Sequence, residues 1–110
     1  MKREDFENIL STLLDNAIKH TESGNNVEVI LKKEKENVIL KVENEESQIP
    51  EEEREKIFER FYRIDKSRNR NEKRYGLGLA IAKSTVKKYN GNIKVLYKDG
   101  FTIFKVNLQI

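Results

Sequence analysis

The chain lacks several residue types on which common kinds of protein site depend. Its 110 residues include no cysteine, no tryptophan, one proline and one histidine. Without cysteine there can be no disulfide bond, thiolate chemistry or cysteine-ligated zinc, and one histidine cannot form a histidine cluster. The composition is compatible with a reducing compartment.

Long apolar runs are also missing from the sequence. No stretch approaches the ~18 apolar residues of a membrane span, and no signal peptide opens the chain. Charged residues make up 37% of the chain and hydrophobic residues 36%, which is enough apolar material for a folded core. The length predicts a single domain covering residues 1–110.

The net charge of +3 conceals an uneven distribution. Five basic residues crowd the stretch from Lys66 to Arg74, and acidic residues crowd the stretch from Glu43 to Glu55. The basic cluster by itself allows a nucleic-acid binder as one alternative. No aromatic residues are interleaved with these cations and no nucleic-acid-binding motif is present, so we expect no nucleic-acid partner.

The first half of the chain predicts one helix and one hairpin. A helix from about Asp5 to His20 is indicated by apolar residues at helical spacing, namely Phe6, Ile9, Leu10, Leu13, Leu14, Ala17 and Ile18. Residues 27–33 and 38–42 alternate like two strands of a hairpin. An acid-rich loop is predicted from Glu43 to Glu55, with a short helix that starts near Pro50 and ends near Phe61.

The second half predicts a long loop, a helix and a second hairpin. Residues 64–75 contain almost no apolar side chains and read as a mobile surface loop. A helix follows from Gly78 to about Tyr89, and residues 93–97 and 102–108 form strands around an Asp99-Gly100 turn. This order predicts a two-layer α+β sandwich, with a mixed, mostly antiparallel sheet and about three helices on one face.

Two glycines stand where the long loop meets the second predicted helix. Gly76 and Gly78 carry no side chain, so backbone N–H groups there can approach an anion at a helix N-terminus. A loop can also need glycine merely to enter a helix, and for a lone Gly-x-Gly this is the more common reason. On the first helix, Thr12, Asn16 and Lys19 or His20 form a polar flank beside the apolar stripe.

Four motifs in the chain resemble those of the sensor histidine kinases. Residues 13–21 (LLDNAIKHT) resemble the N box, residues 57–63 (IFERFYR) with 65–68 resemble the F box and the start of the ATP lid, and residues 76–81 (GLGLAI) resemble the second glycine-rich box. Residues 90–95 and 100–104 resemble the closing hairpin. The resemblance implies the catalytic ATP-binding domain of such a kinase, with the Bergerat fold.

The resemblance also implies roles for individual residues. Asn16 would bind Mg²⁺ that bridges the ATP phosphates, and Lys19 and Arg63 would contact phosphate, so that these three form the catalytic set. Tyr62 would lie beside the nucleotide, and backbone N–H groups from Gly76 to Gly78 would face the phosphates. The implied nucleotide contacts comprise Asn16, Lys19, His20, Asn44, Ile49, Tyr62, Arg63, Gly76, Leu77, Gly78, Leu79 and Thr102.

The chain departs from the family pattern at the first glycine-rich box. Asn44 stands where the family has the aspartate that accepts a hydrogen bond from the adenine amino group, and Glu46 and Gln48 replace glycines. Thr12 stands where the family usually has a second asparagine. An alternative function is therefore a degenerate domain, impaired in nucleotide binding, that acts as a regulatory or protein-interaction module.

The implied partners follow from the same resemblance. The phosphoacceptor histidine would be supplied by a dimerisation domain of the same full-length protein, and a response regulator would be served indirectly. The 110 residues alone would be monomeric and would not autophosphorylate. The domain would be cytoplasmic and the full-length protein membrane-anchored. The related anti-sigma serine kinases share the fold but fit the F box poorly.

Overall fold

The computed structural model describes residues 2–21, 24–45, 51–59 and 77–109 of the chain. The predicted loop at residues 64–75 lies outside these ranges. The described part contains two α-helices, two short 3₁₀ turns and a four-stranded sheet. None of its helices is long and apolar enough to cross a membrane.

The first helix, α1, spans Arg3–His20 and buries one stripe of its surface. Ile9, Leu13 and Ala17 are buried, as their spacing of four residues predicts for one helix face. Ile18 also belongs to the apolar pattern that predicted the helix, but its side chain is 61% exposed.

Four strands form one sheet in the order β1-β2-β4-β3, and each of the three neighbouring pairs is antiparallel. The strands are β1 (Val27–Glu34), β2 (Asn37–Glu45), β3 (Asn92–Lys98) and β4 (Phe101–Gln109). The predicted Asp99-Gly100 turn is confirmed, with φ of 52° and 85° at these two residues. Both values match the left-handed conformation that tight hairpins require.

Strand β2 continues three residues beyond its predicted end at Val42. The predicted loop therefore starts later, because Glu43, Asn44 and Glu45 pair with the beginning of β4. The side chain of Glu45 also accepts a hydrogen bond of 2.8 Å from the backbone N–H of Asn26. The acidic composition of residues 43–45 suggested a loop, but these residues extend β2 because they pair with β4, which is distant in the chain.

The described part of the predicted short helix consists of two 3₁₀ turns, Glu51–Glu53 and Lys56–Phe58. Their apolar residues, Ile57 and Phe58, are buried. The Phe58 ring packs edge-on against that of Phe104, with 6.2 Å between the ring centroids. The second α-helix, α2, spans Gly78–Lys88.

The core lies between the sheet and the helices, as expected for the predicted two-layer sandwich. It combines residues of α1, α2 and the second 3₁₀ turn with one face of the sheet. The buried members are Ile9, Leu13, Ala17, Leu40, Val42, Ile57, Phe58, Leu79, Val86, Ile93, Val95, Phe104, Val106 and Leu108.

Candidate functional site

The polar flank of α1 contains a buried amide group. Thr12 and Asn16 are four residues apart and therefore lie one above the other on the same side of the helix. The Nδ2 atom of Asn16 is buried and has no hydrogen-bond partner among the described residues. A buried donor without a partner costs about 1–3 kcal/mol, so this amide calls for a ligand or for a residue outside the described ranges.

Helix α2 begins beside this flank. A Cβ atom built on Gly78 would lie 3.2 Å from the Cγ2 methyl of Thr12, so only glycine fits there without displacement. The N-cap residue, Leu77, makes no side-chain capping hydrogen bond, and the first turn of α2 contains no acidic residue. The start of α2, with the positive end of its dipole, therefore lies beside Thr12, one helical turn from Asn16.

The two helices run in opposite directions across the sheet. The Tyr89 hydroxyl, at the end of α2, donates a hydrogen bond to the carboxylate of Asp5 in the first turn of α1. At the other end of α2, Gly78 contacts Thr12 further along α1. The start of α2 consequently faces the C-terminal half of α1, where Asn16 lies.

A buried polar pair lies on the sheet at the end where α1 terminates. Asn44 and Thr102 are directly opposite each other on β2 and β4, and both are 0% exposed. Val27 pairs with Asn44 from the other side, and only residues 21–26 connect it to the end of α1. Asn16, Gly78, Asn44 and Thr102 therefore belong to the same end of the molecule, and we refer to them as the candidate site.

The remaining site residues predicted from the sequence are partly described by the structure. Lys19 is exposed and makes no ion pair with any residue in the described ranges, whereas His20 is half-buried. Leu77 is 40% exposed, but the side chain of Leu79 is 1% exposed and belongs to the core, so only its backbone can reach a ligand. Four predicted site residues lie outside the described residues, namely Ile49, Tyr62, Arg63 and Gly76.

Thr12 belongs to the site geometry although it was not among the predicted site residues. Its position one turn before Asn16 was a signal of this, but its contact with Gly78 depends on how α1 and α2 pack. A surface depression lies at the end of the sheet opposite the candidate site, lined by Asn37, Asn90, Gly91, Asn92, Asn107 and Gln109. It does not include any predicted site residue.

The donor set of the candidate site consists of amide and hydroxyl groups. No group of three or more His, Cys, Asp or Glu residues that could hold a metal ion occurs in the part of the chain that the structure describes. Amide oxygen is a suitable ligand for Mg²⁺, which usually binds to one or two protein oxygens together with substrate phosphates. The Oδ1 atom of Asn16 is an oxygen of this kind, whereas its buried Nδ2 group donates and fits an acceptor such as a phosphate oxygen.

The chain is similar in sequence to named proteins. The signal transduction histidine-protein kinase ArlS of Staphylococcus haemolyticus is 36% identical over 107 residues, which cover 96% of this chain and 24% of ArlS. The sensor protein CiaH of Streptococcus pneumoniae is 36% identical over 106 residues, with the same coverage of 96% and 24%. The chain thus spans about a quarter of the length of these curated relatives.

Solved structures and a family profile agree with these relatives. A mycobacterial sensor histidine kinase, MprB, is similar with a TM-score of 0.85 and 30% identity, over 99% of this chain and 74% of that chain. This similarity confirms the predicted Bergerat fold. Residues 1–110 match the profile described as "Histidine kinase-, DNA gyrase B-, and HSP90-like ATPase". The chain therefore belongs to the histidine kinase-, DNA gyrase B- and HSP90-like ATPase family.

Proposed function

We propose that the chain binds Mg²⁺-ATP at the candidate site and positions the γ-phosphoryl group for transfer to a histidine on a separate dimerisation domain. The observation that carries this proposal is the buried Nδ2 atom of half-buried Asn16, which has no partner among the described residues, near the start of α2, where Leu77 makes no side-chain capping hydrogen bond. Phosphate oxygens would accept from this NH₂ group and from the N–H groups at the helix start. Family membership supports the same nucleotide.

The protein's contribution to such a transfer is positioning and charge neutralisation. Mg²⁺, when bound, would supply positive charge that neutralises the triphosphate, and the Asn16 side-chain oxygen would hold it. Lys19 is exposed on the last turn of α1, where its ammonium can reach a phosphate. The backbone N–H groups of Leu77 and Gly78 would donate to phosphate oxygens.

Further contacts are assigned through the family resemblance. Arg63 would contact phosphate, Tyr62 and Ile49 would lie beside the nucleotide, and Gly76 would donate a backbone N–H. His20 packs near the end of α1, and Asn44 with Thr102 would form the floor against which the purine base rests. These assignments complete the proposed site.

The named relatives indicate a biological context for this activity. ArlS and CiaH carry the names of a signal transduction kinase and a sensor protein. We propose that the chain is the nucleotide-binding part of a membrane-anchored sensor kinase, located on the cytoplasmic side. Its phosphoacceptor histidine would belong to the dimerisation domain, and a response regulator would receive the phosphoryl group.

Calorimetric titration of the 110-residue chain with a non-hydrolysable ATP analogue tests the proposal. We expect saturable binding that requires Mg²⁺, and we expect Asn16→Ala to weaken it by about tenfold or more, as loss of a charge-assisted contact predicts. Asn92→Ala, an exposed asparagine at the other end of the sheet, serves as the matched control and should bind like the wild type.

Absence of binding at millimolar nucleotide would contradict the proposal and favour the regulatory-module alternative. In that case, restoring the family residues with Asn44→Asp, Glu46→Gly and Gln48→Gly should produce nucleotide binding. Phosphoryl transfer itself is tested by mixing the chain and radiolabelled ATP with a separately produced dimerisation domain, in which replacement of the histidine must abolish labelling.

A further inference from the structure

The outer face of the sheet, opposite the helices, carries a row of lysines. Lys41, Lys105 and Lys94 lie directly opposite one another on β2, β4 and β3. They alternate along their strands with buried core residues, so their side chains belong to the face away from the helices. Neighbouring strands are about 4.8 Å apart, so the three residues lie within about 10 Å of one another. We refer to them as the lysine row.

The lysine row is not neutralised by ion pairs in the described part of the chain. None of its three members makes a salt bridge with a residue there. The β3–β4 hairpin contains a single acidic residue, Asp99 in its turn. The acidic residues of the outer face belong to β1 and β2 instead, namely Glu28, Glu34, Glu43 and Glu45. The β3–β4 half of this face is therefore positively charged.

The ordinary structural role of lysine in a sheet does not explain this row. Lysine often protects an edge strand from pairing with another chain, but only Lys94 lies on an edge strand, since β2 and β4 are central. Like charges directly opposite each other destabilise a sheet. The row therefore lowers stability without protecting an edge, and such local conflicts are typical of functional surfaces.

We propose that the lysine row docks this domain on the anionic surface of a membrane, an inference that rests on the proposed membrane-anchored location and not on nucleotide binding. An open sheet face can bring several cations to a membrane at once, whereas a peptide is usually bound in a groove or at a sheet edge. Lys98, on the same face of β3, adds a fourth cation.

The expected strength suits a protein that is already held at the membrane. Each lysine near an anionic surface strengthens binding by about fivefold, so four lysines give about 600-fold. Charge of this size does not hold a free protein firmly, but it acts as a second contact for an anchored one. The lysine row would therefore orient the domain and leave the helix side, with the candidate site, facing away from the membrane.

Sedimentation of the 110-residue chain at low salt, with vesicles made of equal parts phosphatidylserine and phosphatidylcholine, measures this binding. We expect the wild type to bind at millimolar lipid and not to bind vesicles of phosphatidylcholine alone. Lys41→Gln, Lys94→Gln and Lys105→Gln together should weaken binding by about 100-fold. Arginine at the same three positions keeps the charge and should bind like the wild type.

The matched control removes the same charge from the other side of the molecule. Lys33 lies on the helix side of the sheet, paired with Val38, and Lys87 and Lys88 are exposed in the last turn of α2. Their joint replacement by glutamine should weaken binding by less than about fivefold. Both triple variants keep the basic residues between positions 66 and 74, so the comparison isolates the lysine row.

The glutamine variant of the lysine row should remain folded in circular dichroism and be at least as stable as the wild type, because it relieves repulsion. Lys105→Gln alone should weaken vesicle binding by about fivefold and provides a second, milder variant. Equal binding by the wild type and the lysine-row variant, equal losses in the two triple variants, or binding of duplex DNA without binding of vesicles would overturn the inference. Failure to bind vesicles overturns this inference alone, because the nucleotide titration of the same chain tests the proposed function separately.

Discussion

Replacement of Gly78 by alanine tests the contact that holds the start of α2 against α1. The new Cβ would lie 3.2 Å from the Thr12 methyl carbon. Carbon atoms prefer a separation of about 3.5–4.0 Å, so the helices or the Thr12 side chain must yield by a few tenths of an ångström. Overpacking typically costs about 1–3 kcal/mol, and alanine regains only part of the roughly 0.5–1 kcal/mol that it gains inside a helix, because Gly78 is the first residue of α2. We therefore expect a net destabilisation of about 1–2 kcal/mol.

A second substitution isolates the contact from the helix preference. Thr12→Ser removes the methyl group and keeps the hydroxyl. In that background, Gly78→Ala should change the free energy of unfolding by less than about 0.5 kcal/mol, because only the small gain in helix preference at a first helical position remains. The interaction energy between the two substitutions should therefore be about 1–2 kcal/mol.

The interaction energy is measured by urea unfolding, followed by circular dichroism, of the wild type, Gly78→Ala, Thr12→Ser and the double variant. Thr85→Ser is the matched control, since it deletes the same methyl group on α2, about 10 Å along the helix from Gly78. Its effect should add to that of Gly78→Ala within about 0.5 kcal/mol. An equally small interaction energy with Thr12→Ser would refute the placement of Gly78 against Thr12.

Two further predictions concern the core and the outer face of the sheet. Leu13→Ala should lower the free energy of unfolding by about 2–5 kcal/mol, because Leu13 is 0% exposed. Ile18→Ala should change the free energy of unfolding by less than about 0.5 kcal/mol. If urea unfolding showed the same loss of stability for both variants, the assignment of Leu13 to the buried face of α1 and Ile18 to the exposed face would be contradicted. Lys105 lies between Lys41 and Lys94 in adjacent strands, so Lys105→Thr should stabilise the chain by about 0.2–1 kcal/mol at low salt. This gain in stability should shrink in 1 M salt, which screens the repulsion among the three lysines. The control Lys98→Thr, opposite Phe101, should show no such gain. A gain that does not depend on salt would contradict repulsion as its cause.

The helices show how far periodicity could predict the fold. The spacing of Ile9, Leu13 and Ala17 identified the buried face of α1, because residues four apart share a side of a helix. The same pattern could not show that Ile18 lies outside the buried face, since the width of that face depends on how the sheet covers the helix. In α2, Leu79, Ala82 and Val86 are buried at helical spacing, while Tyr89 is half-buried.

The strands show a different limit. The Asp99-Gly100 turn was predictable because few residues accept positive φ, and it specifies the β3–β4 hairpin locally. The end of β2 was not predictable in this way, because Glu43 and Glu45 resemble loop residues in composition. Their strand conformation comes from pairing with Ile103 and Phe101, which are far away in the chain.

The sequence by itself determined which chemical groups this protein can offer: an amide on a helix flank, a glycine at a helix start and an asparagine in place of an acidic residue. Only the tertiary structure decided that Asn44 faces Thr102 and that Thr12 meets Gly78. Local residue preferences act over a few positions, whereas strand register and helix docking are set by contacts between segments distant in the chain. The candidate site depends on those contacts.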